Sequence, residues 1–155
     1  MIRVKICGIT SGADAHMARA AGADFLGLVF AASPRQVTAE GARDIMRAVA
    51  GFDGWVGVFV DEKKRVVEET AEGLGIRYLQ FHGEESPATC AAYGAEGFQV
   101  IKAFRVRDTD SLRAVEEYDT AFVLLDGFAN GRAGGTGASF DWGLLRGKRF
   151  SERLF

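Results

Sequence analysis

Cysteine is scarce in this 155-residue sequence, which contains only Cys7 and Cys90. The two residues lie far apart in a chain without a secretory signal, so we expect free thiols rather than a structural disulfide. Histidine is equally scarce, and the spacing of the two cysteines with His16 and His82 fits no zinc-binding pattern. We therefore expect no bound metal.

Long hydrophobic runs are also missing, because no apolar stretch approaches the roughly 20 residues that a membrane-spanning helix requires. The N-terminus lacks the apolar core of a signal peptide, so we expect a cytoplasmic protein. Excess positive charge is absent too, since 19 basic and 21 acidic residues give a net charge of -2, and the basic residues are scattered. We expect neither nucleic acid nor an anionic membrane as a partner.

Hydrophobic residues make up 48% of the chain, enough for one core, and we expect a single domain over residues 1–155. Short apolar runs rich in β-branched and aromatic residues recur along the sequence, as is typical of buried strands. Six strands are predicted on this basis: RVKICGI (3–9), FLGLVF (25–30), WVGVFV (55–60), YLQFHG (78–83), FQVIKAF (98–104) and AFVLLDG (121–127).

Segments with helical spacing separate these runs. Ser86 followed by Pro87 marks one helix start, because serine suits the N-cap and proline the first helical position. Strict alternation of strands and helices predicts a parallel sheet with helical crossovers. The helical segments are DAHMARAAG, TAEGARDIMRAV, KKRVVEETAEGL, SPATCAAYG, DSLRAVEEY and FDWGLLRGK.

Two α/β architectures fit this alternation. The length favours an open, doubly wound sheet, because a (β/α)8 barrel usually needs about 200 residues or more. The strand ends favour the barrel, in which all of them meet on one face. Nearly every run finishes with polar or glycine residues, namely Cys7-Gly8, Asp61, His82-Gly83, Arg105 and Asp126-Gly127.

A series of motifs at these strand ends resembles the phosphoribosylanthranilate isomerase family of tryptophan biosynthesis. The resemblance extends from residue 3 to residue 155, and its specificity lies in the order of the motifs rather than in any one of them. The motifs are KICGIT (5–10), GLVF with SPR (27–30 and 33–35), VGVFV (56–60), LQFHGEE (79–85), IKAF (101–104), LLDG (124–127) and GGTGASFDW (134–142).

The resemblance implies the (β/α)8 TIM-barrel fold, with about the first six βα units present in this chain and the barrel incomplete at the C-terminus. In the family, the loops after strands seven and eight hold the substrate phosphate, a common phosphate site in barrels. Those loops would lie outside residues 1–155. An inactive or partner-dependent barrel fragment is therefore one alternative, and a doubly wound flavin- or nucleotide-binding domain is another.

The resemblance also implies the chemistry: an Amadori rearrangement of N-(5-phosphoribosyl)anthranilate to 1-(2-carboxyphenylamino)-1-deoxyribulose 5-phosphate. By similarity Asp126 is the general acid and Cys7 the general base, and no metal or organic cofactor is needed. The expected partner is this small phosphorylated aminosugar, and the expected assembly is a monomer or homodimer. Lys5 shares one face of the strand with Cys7, and a nearby cation favours a thiolate.

Two further residues match the family pattern. Arg35, in SPR, corresponds to the arginine that pairs with the anthranilate carboxylate, a task for a planar bidentate donor. His82, at the end of LQFHG, is expected to line the substrate pocket. The glycine-rich run GRAGGTGASFDW (131–142) fits neither common nucleotide-binding motif, and we interpret it as a lid over the site.

Overall fold

Strands and helices alternate along the chain in the computed structural model, which describes residues 3–127, 142–145 and 148–155. These residues group into two units, Met1–Glu84 and Glu85–Phe155, and each is described by itself. The organisation of residues 1–155 as a single domain stays a prediction.

The first unit contains four strands and three helices. Each strand pairs in parallel with the next one along the chain, from the first strand to the fourth. The elements are β1 (Lys5–Cys7), α1 (Gly12–Ala20), β2 (Phe25–Val29), α2 (Ala39–Arg47), β3 (Trp55–Phe59), α3 (Lys64–Leu74) and β4 (Tyr78–Phe81).

Burial explains why the central strands read as continuous apolar runs. Every residue of β2 and of β3 is buried, as expected for parallel strands covered on both faces. The helices begin at capping side chains: Ser11 accepts a hydrogen bond from the Asp14 N–H, and Thr38 accepts one from the Gly41 N–H, each at 3.1 Å. Strand–helix alternation is therefore supported by local signals as well as by burial.

The second unit contains one further helix and two parallel strands, followed by short helical turns. α4 (Pro87–Ala95) begins at Ser86, whose hydroxyl accepts from the Thr89 N–H, so the predicted helix start is confirmed. The remaining elements are β5 (Gln99–Val106), α5 (Thr109–Arg113), β6 (Phe122–Gly127) and 3-10 helices at Ala114–Glu117, Trp142–Leu145 and Arg149–Arg153.

Element boundaries differ from the sequence prediction at several places, among them β5 and the last two predicted helices. β5 extends to Val106, because Arg105 and Val106 pair with the last two residues of β6. The predicted helix DSLRAVEEY divides into α5 and a 3-10 helix. The predicted helix FDWGLLRGK contains a 3-10 helix at Trp142–Leu145, and its other residues except Lys148 lie outside the described residues.

Strand order within the first unit separates the two architectures considered above. A doubly wound sheet reverses its strand order at a switch point, whereas β1, β2, β3 and β4 follow one another without reversal. Consecutive parallel order is the arrangement of a (β/α) barrel. Across the part of the chain that the structure describes, no helix is both long and apolar enough to cross a membrane.

Candidate active site

Cys7 is the last residue of β1, which ends two residues before the predicted strand end at Ile9. Gly8 then adopts φ 84°, a left-handed conformation that favours glycine, and the N–H groups of Gly8 and Ile9 both donate to the Gly27 carbonyl. β1 ends at Cys7 because the chain turns away from the sheet after these two hydrogen bonds to one carbonyl. The turn leaves Cys7 at the carboxyl end of the sheet.

Space for the Cys7 side chain depends on Gly27 of β2, its register partner. A Cβ atom on Gly27 would lie 2.8 Å from Cys7 Sγ and 3.2 Å from the Cys7 Cα, closer than ordinary contacts allow. The absence of a side chain at residue 27 therefore makes room for the thiol. Cys7 itself is partly exposed and is a free cysteine.

Arg35, in the loop after β2, lies beside Cys7. The Arg35 guanidinium donates from Nη1 to the Cys7 carbonyl at 2.8 Å, and the Arg35 side chain packs over Gly8, where a Cβ atom would collide with it. The Arg35 N–H donates to the Ser33 hydroxyl at 3.1 Å, which fixes the loop after β2. An exposed guanidinium is thus held next to the thiol-bearing residue.

Lys5 faces the same side of β1 as Cys7, and the two side chains interact. Burial lowers the pKa of the Lys5 ammonium, while the charge of Cys7 and a hydrogen bond with its side chain act in the opposite direction. Lys5 Nζ also donates to Oε1 of Gln80 on β4. The Lys5 ammonium therefore lies between the Cys7 thiol and the neutral carbonyl oxygen of Gln80.

His82 directly follows β4 and is connected to this group through Gln80. The His82 N–H donates to the Phe59 carbonyl at 3.0 Å, and Nδ1 of its ring lies 3.4 Å from Gln80 Nε2. The sequence prediction named His82 as a pocket residue but did not include Gln80. The sequence signal for Gln80 was its place as a polar residue in the middle of the buried run YLQFHG.

Asp126, the predicted acid, lies in the second unit on β6, one residue before that strand ends. Val123 and Leu125 pack with the cluster of Val106, Leu112, Val115 and Phe150, so by strand alternation Leu124 and Asp126 share the other face. Asp126 is half-buried and pairs in register with Arg105, an exposed residue at the end of β5. The register of β5 and β6 therefore places residues 105 and 126 side by side on neighbouring strands.

Cys90 has the opposite environment from Cys7. It is 1% exposed on α4, and burial raises the pKa of its thiol to about 11, with the nearby Lys102 ammonium opposing and the Glu85 carboxylate adding to the shift. Lys102 and Glu85 form a buried ion pair at 3.2 Å, and the Tyr118 hydroxyl donates to the Glu85 carbonyl at 3.0 Å. Cys90 is therefore part of the core.

The lid predicted for GRAGGTGASFDW (131–142) lies, except for Trp142, outside the described residues, and it stays a prediction. Cys7, Arg35 and His82 come together in the first unit through direct contacts or through Lys5 and Gln80. Asp126 belongs to the second unit, and its surroundings are therefore given separately.

Parallel strands in consecutive order, joined by helical crossovers and with polar side chains at their carboxyl ends, are the arrangement of (β/α)-barrel enzymes. The family model "N-(5'phosphoribosyl)anthranilate (PRA) isomerase" matches residues 4–155. The chain belongs to the PRA isomerase family.

Relatives with high sequence identity support the same conclusion. The chain is 44% identical over 155 residues to N-(5'-phosphoribosyl)anthranilate isomerase of Pelobacter propionicus, covering 99% of this chain and 73% of that protein. The crystal structure of phosphoribosyl anthranilate isomerase from Thermotoga maritima matches with a TM-score of 0.82 at 38% identity, covering 94% of this chain and 70% of the other. The barrel fold class is therefore confirmed, and the doubly wound alternative is wrong.

A third comparison includes a ligand. A solved PRA isomerase in complex with reduced 1-(o-carboxyphenylamino)-1-deoxyribulose 5-phosphate matches with a TM-score of 0.74 at 39% identity, covering 83% of this chain and 66% of that structure. That protein binds a phosphorylated sugar derivative carrying a carboxyphenylamino group.

Proposed function

We propose that this chain carries the acid–base residues of PRA isomerisation, with Cys7 as general base and Asp126 as general acid. The observation that carries the proposal is the position of the Cys7 thiol at the end of β1, in contact with the Lys5 ammonium and beside Arg35. The thiolate is the form of cysteine that can accept a proton. Membership in the PRA isomerase family supports the choice of reaction.

The reaction begins with proton transfer to the furanose ring oxygen of N-(5-phosphoribosyl)anthranilate. Asp126 supplies this proton, the bond from C1 to the ring oxygen breaks, and the nitrogen lone pair forms a Schiff base with C1. The ring opens and Asp126 becomes a carboxylate. No redox partner is required, because the electrons stay within the substrate.

The second proton transfer takes place at C2. The Cys7 thiolate removes the C2 proton, and the electron pair of the C–H bond forms a double bond between C1 and C2 while the Schiff-base nitrogen regains its lone pair. The resulting enolamine tautomerises when C1 gains a proton and the C2 hydroxyl loses one. The product is the aminoketose, an isomer of the substrate.

Arg35 provides the proposed binding group for the anthranilate carboxylate. One of its N–H groups donates to the Cys7 carbonyl, so the guanidinium is already fixed relative to the base. A planar guanidinium can form two parallel hydrogen bonds with a carboxylate, which also orients the aromatic ring. His82 lines the same side of the first unit and is proposed to border the pocket.

The relative in complex with the reduced product analogue supports a small phosphorylated aminosugar as the partner. Cytoplasmic location, a monomeric or homodimeric state and the absence of nucleic-acid binding stay predictions from the sequence.

The experiment is a turnover assay with N-(5-phosphoribosyl)anthranilate on residues 1–155, with Asp126→Asn as the test variant and Asp110→Asn as its matched control. Asp110 is exposed and forms a surface ion pair with Arg113. We expect Asp126→Asn to lower kcat by about 10²–10⁴-fold, because an amide cannot deliver the ring-opening proton. Equal kcat values for the two variants would contradict the role of Asp126.

A further inference from the structure

We infer that Asp61 is a positioning residue for His82: its carboxylate holds the main chain directly after His82 and so keeps the imidazole at the edge of the proposed substrate pocket. The inference rests on the proposed function in one respect, namely that His82 borders that pocket. All of the contacts lie within the first unit, and they do not depend on that role.

Asp61 has an uncommon backbone conformation just after β3. Its φ angle is 48°, and among the residues that the structure describes it is the only one other than glycine with a positive φ. Aspartate tolerates this left-handed region better than most residues do, and such conformations occur preferentially at functional sites. In a (β/α) barrel, the loops at the carboxyl ends of the strands form the active-site face. The conformation of Asp61 therefore indicates a functional constraint on this loop.

The carboxylate of Asp61 reaches the loop that follows the neighbouring strand, β4. Its Oδ1 atom accepts a hydrogen bond from the Glu84 N–H at 2.6 Å. The same carboxylate lies over Gly83, where a Cβ atom would collide with it. Gly83 does not have a positive φ, so space rather than conformation requires glycine there. The Asp61 side chain is therefore in contact with the main chain of two consecutive residues.

His82 lies immediately before this contact and is held on its other side by the sheet. The His82 N–H donates to the Phe59 carbonyl at 3.0 Å, which continues the pairing of β3 with β4. The chain is thus fixed by β3 at the N–H of His82 and by Asp61 at the N–H of Glu84. With the main chain fixed on both sides, the Cα–Cβ bond of His82 has a defined direction. The ring then stays beside Gln80, whose Nε2 atom lies 3.4 Å from His82 Nδ1.

The exposure of Asp61 separates this role from a role in the core. The residue is exposed, so its side chain does not fill the interior of the first unit. A hydrogen bond accepted by a carboxylate is stronger than one between neutral groups, and it is lost when the acceptor is removed. Loss of the Asp61 carboxylate should therefore loosen the loop without unfolding the unit. A loop that is only partly in its binding conformation weakens substrate binding in proportion.

The first test measures amide exchange of Glu84 by NMR, without substrate. Asp61→Gly removes the acceptor and allows the positive φ, whereas Asp61→Asn keeps an oxygen acceptor and also tolerates that φ. Gly83→Ala displaces the carboxylate and leaves Asp61 in place. The matched controls are Asp53→Gly, at an exposed residue two positions before β3, and Gly73→Ala in α3, where a Cβ atom meets nothing within 4 Å.

We expect the Glu84 amide to exchange about 10- to 100-fold faster in Asp61→Gly and in Gly83→Ala, because the hydrogen bond that protects it is lost. Asp61→Asn should stay within about threefold of wild type, and both controls should match wild type. Thermal unfolding identifies any variant that fails to fold, and Asp61→Gly and Gly83→Ala break the contact independently. Wild-type exchange in either folded variant would overturn the inference.

The second test asks whether Asp61 acts through His82, and it uses the KM for N-(5-phosphoribosyl)anthranilate. Asp61→Gly should raise KM about 3- to 10-fold with a smaller change in kcat, and Asp61→Asn should keep the wild-type KM. In a His82→Ala background Asp61→Gly should have no further effect, because the side chain that Asp61 positions is absent. An equal rise of KM in both backgrounds would show that Asp61 acts by another route, which contradicts the inference.

Failure of the proposed function would have a different signature. A wild-type KM in His82→Ala would show that His82 does not border the substrate pocket. Amide exchange of Glu84 is measured without substrate, so it does not depend on that result. The two failures are therefore distinguishable.

Discussion

Gly27 lies so close to Cys7 that a Cβ atom at residue 27 would be 2.8 Å from the Cys7 sulfur. The same atom would be 3.2 Å from the Cys7 Cα, so rotation of the thiol alone would not relieve the contact. Gly27→Ala must therefore shift β1 or β2 at the site itself. Small displacements of a reacting group can cost about 100-fold in rate.

We predict that Gly27→Ala lowers kcat by about 100-fold, because the thiol leaves its reactive position. Gly73→Ala is the matched control, since Gly73 lies in α3 and a Cβ atom there meets nothing within 4 Å. The control should keep its activity and gain about 0.5–1 kcal/mol in free energy of unfolding, measured by urea denaturation. Wild-type kcat in Gly27→Ala would show that the base does not require this spacing.

Arg35→Met tests the proposed carboxylate contact. Removal of a charged hydrogen-bonding partner costs about 1.5–3 kcal/mol, so KM should rise about 10- to 100-fold, with a smaller effect on kcat. The matched control is Arg65→Met, because Arg65 is exposed and its ion pair with Glu69 lies at the surface. Steady-state kinetics measures both constants. Equal KM values in the two variants would show that Arg35 does not bind the substrate.

The buried thiol of Cys90 should make stability fall at alkaline pH. Burial raises the pKa of this thiol from 9.0 to about 11, so between those values the unfolded chain releases a proton that the folded chain retains. Stability is therefore lost as pH rises through this range, since the folded state binds more protons.

Comparison with Cys90→Ala isolates this contribution from other groups that titrate at the same pH. We predict that the difference in free energy of unfolding between wild type and Cys90→Ala stays constant below pH 9 and moves against the wild type between pH 9 and 11. Urea denaturation at several pH values measures it. A constant difference across the whole range would contradict the raised pKa.

The sequence predicted the strand-end residues well, because each motif carries its own local signal. Cys7 ends β1, Ser86 and Pro87 begin α4, and Asp126 lies one residue before the end of β6. These features depend on neighbouring residues along the chain. Their positions could therefore be inferred without knowledge of the tertiary structure.

The features that the sequence did not reveal depend on contacts between strands. Gln80 reaches Lys5 only because the sheet of the first unit curls, and Gly27 matters only because Cys7 is its register partner. β5 was predicted too short because Arg105 and Val106 are held in the strand by pairing with β6. Spacing along the chain carries none of this information.

The central claim is that Cys7 is the base, and the most direct measurement is the steady-state kinetics of Cys7→Ser beside Cys90→Ala on N-(5-phosphoribosyl)anthranilate. A serine hydroxyl is a much poorer base, so kcat should fall by about 10²–10⁴-fold while KM changes little. Cys90→Ala should keep its activity, since Cys90 is buried in the second unit. Near-wild-type kcat in Cys7→Ser would contradict the account.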